Sequence, residues 1–162
     1  MRLLITVTLL FLCFIVPIHF FTIGNGMGVG LAGAFYQAKV TGYGTTFLPV
    51  TADFDYVIQG IYSGRTMISV LSWILGSLLL MAATVLLLIG ENALNRWHQS
   101  VGLLLIFSGG FYLASVVIRY GPLFHGPTGI GVPFGIPLVL ILGYAIMRDL
   151  LKLTPQNVYR DL

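Results

Sequence analysis

The apolar positions fall in four blocks, Leu3 to Ile23, Thr66 to Ile89, Val101 to Ile118 and Gly129 to Met147, and no Asp, Glu, Lys or Arg interrupts any of them. Each block approaches the roughly 20 residues that a helix needs to cross the hydrocarbon of a bilayer. The pattern predicts an all-α membrane protein, a four-transmembrane-helix bundle with spans 3–23, 66–89, 101–118 and 129–147. With a connection at 24–65 and a short tail at 148–162, residues 1–162 read as a single integral membrane domain. Pro133 and Pro137 are expected to kink the outer half of the fourth span, because proline removes a helical hydrogen bond.

Within 24–65 the helical period gives way to alternation. Leu48, Val50, Ala52, Phe54, Tyr56 and Ile58 stand at every second position, with Thr51, Asp53 and Asp55 between them. Upstream, Tyr36, Ala38 and Val40 alternate with Gln37, Lys39 and Thr41, and Gly42-Tyr43-Gly44 separates the runs. A period of two is that of a half-buried strand, so a small extracytoplasmic β-hairpin is expected in the first outer loop. A lone hairpin is marginal in water and should lie on the outer helix ends or pair with a partner. This layout resembles the tetraspan arrangement of the claudin class in architecture alone. That class carries a Trp-Gly-Leu-Trp signature and a cysteine pair in the first loop, whereas Trp73 and Trp97 lie outside this loop and Cys13, the single cysteine, lies in the first span.

Composition agrees with a membrane environment: 57% of residues are hydrophobic, 8% are charged and the mean hydropathy is +0.97, against roughly 25% charged residues in a soluble domain. Arg2 followed by an apolar run could begin a secretory signal, but the run is long and the small-residue stretch Ala32-Gly33-Ala34 lies well beyond it, so a retained helix is expected. Arg2, Arg96, Arg148, Lys152 and Arg160 would share one side, with Lys39, Arg65 and Arg119 on the other. The excess predicts cytoplasmic termini and an outer hairpin. The net charge of +3 is spread over both sides, which gives no case for nucleic-acid binding.

Gly28, Gly30 and Gly33 spell G-x-G-x-x-G, and Asp53 follows at the spacing of a dinucleotide fingerprint. That fold requires a strand, a full helix and a second strand in a covered parallel sheet, and the chain after Gly33 is too short and too alternating for the helix. The glycines read instead as close-packing positions. Gly26 with Gly30, Gly24 with Gly28, Gly109 and Gly110 in the third span, and Gly131 and Gly135 in the fourth provide small-residue contact faces.

Candidate chemistry is sparse. His19, Asp53, Asp55 and His125 could gather at the outer surface as a metal or proton-handling cluster, but there is no H-E-x-x-H and no cysteine pair, so interfacial histidines are the plainer expectation and no metal is assigned. His98 lies on the opposite side from His19 and His125, which leaves no facing pair for haem. Cys13, among Phe11, Leu12, Phe14 and Ile15, reads as a packing residue. Arg65 and Arg119 should snorkel to the interface or pair with Asp53 or Asp55, and Glu91, Asn92, Asn95, Arg96, Trp97 and His98 make an amphipathic inner turn. No catalytic residue and no cofactor other than a bound lipid is indicated. The sequence predicts a non-catalytic small membrane subunit, its partners being lipids and other membrane proteins. The alternatives are a small enzyme or redox subunit binding a quinone, lipid or metal near His19, Asp53, Asp55, Arg119 and His125, or a protomer of an oligomeric channel or transporter.

Overall fold

The computed structural model describes residues 2–24, 26–89, 94–126 and 128–148. Glu91 and Asn92 of the inner turn, and Lys152, Pro155 and Arg160 of the expected tail, lie outside the described residues. In chain order the elements are α1 (Arg2–Ile15), β1 (His19–Ile23), β2 (Gly28–Ala32), β3 (Tyr36–Thr41), β4 (Gly44–Pro49), α2 (Val50–Ile58), α3 (Gly64–Ile89), α4 (Leu94–Tyr120), β5 (His125–Gly126), β6 (Gly129–Val132) and α5 (Ile136–Met147).

The expected all-α bundle of four spans is therefore corrected, among the described residues, to a mixed fold of five helices and a six-stranded antiparallel sheet. Among the described residues, α3 and the Gln99–Tyr120 part of α4 are long and apolar enough to cross a membrane. The helix in the first block has 14 residues and the helix in the fourth has 12. At about 1.5 Å per residue both fall short of a hydrocarbon layer of about 30 Å.

The sequence contains the reasons for both interruptions. Pro17 cannot continue α1, and the aromatic and β-branched run His19-Phe20-Phe21-Thr22-Ile23 favours an extended chain. Ile18 N–H donates to Ala32 O at 2.7 Å, starting the pairing of β1 with β2. In the fourth block Gly129–Val132 pairs with β1, matching Phe20 to Val132 and Phe21 to Gly131. Pro133 lies in the link that follows, and Pro137 occupies the first turn of α5, where its missing N–H breaks no helical bond. The expected kinked span is thus a strand followed by a helix.

The expected second hairpin strand is also corrected. Strand β4 ends at Pro49, and Val50–Ile58 is helical. Pro49 precedes the helix, Asp53 lies in its first turn, and Val50, Ala52, Asp53, Tyr56 and Val57 are its more covered positions. That spacing is helical, and it coexists in one short segment with the apolar alternation.

The strand order is β4-β3-β2-β1-β6-β5. Residues paired across a ladder share a face. One face carries His19, Ala32, Gln37 and Leu48, and beside them Phe21, Gly30, Lys39 and Thr46; the other carries Phe20, Leu31, Ala38 and Phe47, and beside them Thr22, Val29, Val40 and Thr45. His19, Phe21, Ala32 and Gln37 are buried, so the first face is the one turned to the helices.

The helices meet through small residues. A Cβ on Gly76 of α3 would stand 3.0 Å from the Tyr112 ring of α4. One on Gly102 of α4 would come within 2.7 Å of Gly143 O in α5. Around these crossings Leu80, Leu105, Val139 and Ile146 form the buried core with Leu10 of α1.

Candidate functional site

Apolar helices leave serine hydroxyls few partners, and those of α3 and α4 face one another along the interface. Ser108 Oγ donates to Gly76 O at 2.7 Å, and Ser69 Oγ donates to Ser115 O at 2.9 Å. The same seam holds the β2–β3 loop. Trp73 Nε1 donates to Gly33 O at 3.0 Å, Ser77 Oγ bonds the carbonyl of Ala34, and Tyr112 Oη donates to Ser77 Oγ at 3.1 Å. Gly33 and Ala34 are therefore seated about two and a half to three and a half turns along α3 from Gly64, and the sheet lies against the flank of the helix pair.

Nearer the start of α3 this packing encloses a polar pocket. His19, Gln37, Ser69, Trp73, Ser115 and Arg119 line a cavity of about 10 Å³, close to the room needed by one water molecule. His19 is 5% exposed and Gln37 3% exposed, and Gln37 Oε1 has no hydrogen-bond partner. Burial, followed by the Arg119 charge, pushes the His19 pKa from 6.5 down to about 3, so its ring is neutral across the physiological range. The Arg119 guanidinium carbon lies 6.0 Å from the centre of the Phe21 ring and 5.8 Å from that of Tyr120, a cation held against two aromatic faces.

Asp53 and Lys39 complete the electrostatics. Asp53 is buried; its Oδ1 accepts from Tyr62 Oη at 3.0 Å, while Oδ2 has no partner. Burial pushes its pKa up, opposed by the Tyr62 hydrogen bond and then by Lys39 and Arg119. Burial lowers the pKa of Lys39, which Asp53 raises and Arg119 lowers further. Burial, with Asp53 beside it, lifts the Tyr62 hydroxyl to about 12. The expected cluster is thus distributed around Arg119: His19 shares its cavity, Asp53 feels its charge, and His125 shares with it a second cleft that also contains Arg65. Asp55 is exposed on α2. No group of three or more His, Cys, Asp or Glu among the described residues could hold a metal ion.

The glycines singled out above have varied surroundings. A Cβ on Gly28 would press on Val40 O at 2.6 Å, one on Gly30 would enter the Phe21 ring, one on Gly131 the Tyr120 ring, and one on Gly135 would meet Pro17 O. A Cβ on Gly109 would lie 2.6 Å from Leu140 Cδ2, whereas Gly26 and Gly110 face open space. The dinucleotide reading stays excluded: Gly28 and Gly30 lie inside an antiparallel strand, and Asp53 lies on a helix. Sequence reasoning missed Gln37, Ser69, Ser115 and Tyr62, and also Gly102 and Gly143. Gln37 and Lys39 were visible as the polar half of an alternating strand, but the alternation does not reveal which half is buried. No protein-family model matches the chain, and no curated protein matches it.

Proposed function

We propose that this chain is a non-catalytic membrane subunit, in which α3 and α4 cross the bilayer as an antiparallel pair while the outward face of the sheet docks on a larger membrane protein. The sequence balance of Arg2, Arg96, Arg148, Lys152 and Arg160 against Lys39, Arg65 and Arg119 favours a cytoplasmic α3–α4 turn and an outer sheet. The outer surfaces of the two helices suit lipid: Ile68, Leu75, Leu78, Met81, Val85 and Leu88 are exposed on α3, and Leu103, Phe107 and Leu113 on α4. A helix that is apolar all round belongs in a core or in a membrane, and these faces are not in this chain's core.

The observation that carries the docking reading is the apolar character of the sheet's outward face. Phe47 is 65% exposed, Val29 57% and Val40 50%, and the same face continues through Phe20 to Val132. A contiguous apolar patch of this kind marks an interaction surface. Hydrocarbon is a poor cover for it, because β4 is an edge strand whose outer backbone groups need hydrogen-bond partners. A protein presenting an apolar surface, or a strand edge of its own, satisfies both needs.

The test is gentle-detergent purification with native mass measurement, repeated on Val40→Glu/Phe47→Glu. The wild type should retain a protein partner at fixed stoichiometry, and the variant should release it while keeping its own fold. A wild-type chain stable as a lone monomer, or a variant that keeps the same partner, refutes the docking reading.

A further inference from the structure

Arg119 borders a second cleft, and its chemistry differs from that of the buried cavity. The volume is about 190 Å³, and the lining includes Arg65, Thr66, Arg119, Tyr120, His125 and Thr128, with no acidic side chain among the described residues. Its walls come from three places: the first turn of α3, the last turn of α4 and the β5–β6 hairpin. The hairpin is fastened to the helix, since Thr128 Oγ1 donates to Arg119 O at 2.9 Å and a Cβ on Gly126 would lie 2.7 Å from Tyr120 O.

We infer that this cleft binds a phosphate group. Two guanidinium groups offer fork-shaped donors that match phosphate oxygens. Arg65 and Thr66 lie at the start of a 26-residue helix, where the first amide groups have no partner within the helix and the helix dipole favours an anion. The Thr66 hydroxyl and the His125 ring add further donors, whereas the Thr128 hydroxyl is committed to Arg119 O. Asp53 is the competing anion for Arg119, but its Oδ1 is engaged by Tyr62 and its Oδ2 accepts no hydrogen bond from Arg119 or any other group. The Arg119 guanidinium carbon lies over the Phe21 and Tyr120 rings, contacts that restrict its movement where it borders the cleft.

The phosphate could belong to a lipid headgroup or to a soluble molecule, and two probes separate them. The full chain is placed in phosphatidylcholine nanodiscs and titrated with phosphatidic acid in the disc or with inorganic phosphate in the buffer, with bound mass and thermal stability as readouts. At least one probe should bind saturably, one per chain, and Arg65→Gln/Arg119→Gln should weaken it by about tenfold or more, whereas Arg148→Gln should not. Binding of phosphatidic acid alone assigns a lipid headgroup; binding of inorganic phosphate assigns a soluble ligand. If the double variant fails to fold, Arg65→Gln alone, an exposed change, should weaken binding about threefold or more. Saturable binding by neither probe, or equal binding by the folded variants and wild type, overturns the proposal. None of these outcomes depends on the docking reading, since no protein partner is present.

Discussion

The two faces of the sheet carry opposite chemistry, and the face turned to the helices is the more polar one. His19, Gln37 and Lys39 lie on the helix side, while Phe20, Val29, Val40, Phe47 and Val132 lie on the outward side. An antiparallel sheet with one face in water has the reverse arrangement. Each face instead suits what covers it. The inner one meets Ser69, Ser115 and the Arg119 cation, so burying its polar groups costs less than it would against an apolar helix. The outer one, apart from Phe20 against the Phe134 ring, is largely exposed among the described residues. The difference shows that polarity along a strand reports the neighbour, and under the docking proposal the neighbour of the apolar half is another protein.

The largest way to break this arrangement is at Gly30. Its missing side chain leaves room for the Phe21 ring, which in turn supports Arg119. Gly30→Val would drive Phe21 from the helix-facing side, and overpacking of this kind should cost about 3 kcal/mol or more. Thermal unfolding in detergent should show a large fall in midpoint. An unchanged midpoint would mean that the inner face is loosely packed.

His19 gives the next effect, through pH. Its folded-state pKa of about 3 lies below the ordinary 6.5, so between these values the unfolded chain binds a proton that the folded chain does not. This contribution is therefore complete above about pH 6.5 and declines as pH falls, by about 2 kcal/mol on reaching roughly pH 5. His19→Phe keeps a ring beside Phe21 and Tyr120 and should flatten that part of the stability profile. Equal slopes in the two proteins would show that His19 titrates normally.

A smaller loss is expected at the seam that sets the sheet's depth. Trp73→Phe leaves Gly33 O without its 3.0 Å donor, at a cost of about 1–2 kcal/mol for a buried carbonyl. Limited proteolysis within the β2–β3 loop should accelerate in parallel. Unchanged cleavage would mean that Ser77 alone holds the loop.

How much of this was readable in the chain depends on how far apart the deciding residues lie. Helix α3 and the Gln99–Tyr120 part of α4 are apolar over a membrane-spanning length, and the Gly42–Tyr43 turn declares itself locally, so all three could be placed from sequence. The first and fourth blocks could not. Their apolar content alone fits a span, and what makes them part strand is the pairing of Phe20 with Val132, which a sliding window cannot see. Pro17 and Pro133 were local warnings, outweighed by block length. At the site, His19, Asp53 and Arg119 stood out as polar residues in apolar surroundings. Gln37 and Ser115 did not, because their importance comes from facing one cavity from a strand and a helix.

The smallest expected effect on stability is also the sharpest test of the comparison. Val40→Thr keeps the β-branched shape, and Phe47→Thr keeps strand propensity at an edge. Both sites are exposed within the chain, so folding stability should move by about 0.5 kcal/mol or less for Val40→Thr. Phe47→Thr also loses the stacked ring of Tyr36, whose centre lies 5.5 Å away, and should cost about 1 kcal/mol at most. If the outward face is an interface, these nearly silent changes should lower partner retention several-fold, because apolar area at the centre of an interface carries much of its affinity. The α3 change Trp73→Phe, on the helix side of the sheet, should do the opposite, lowering stability while sparing the affinity of the chains that remain folded. Measuring midpoint and partner retention on the same samples separates the two faces. Should Val40→Thr lower both together, the outward face would be part of this chain's own fold and not a surface held for another protein.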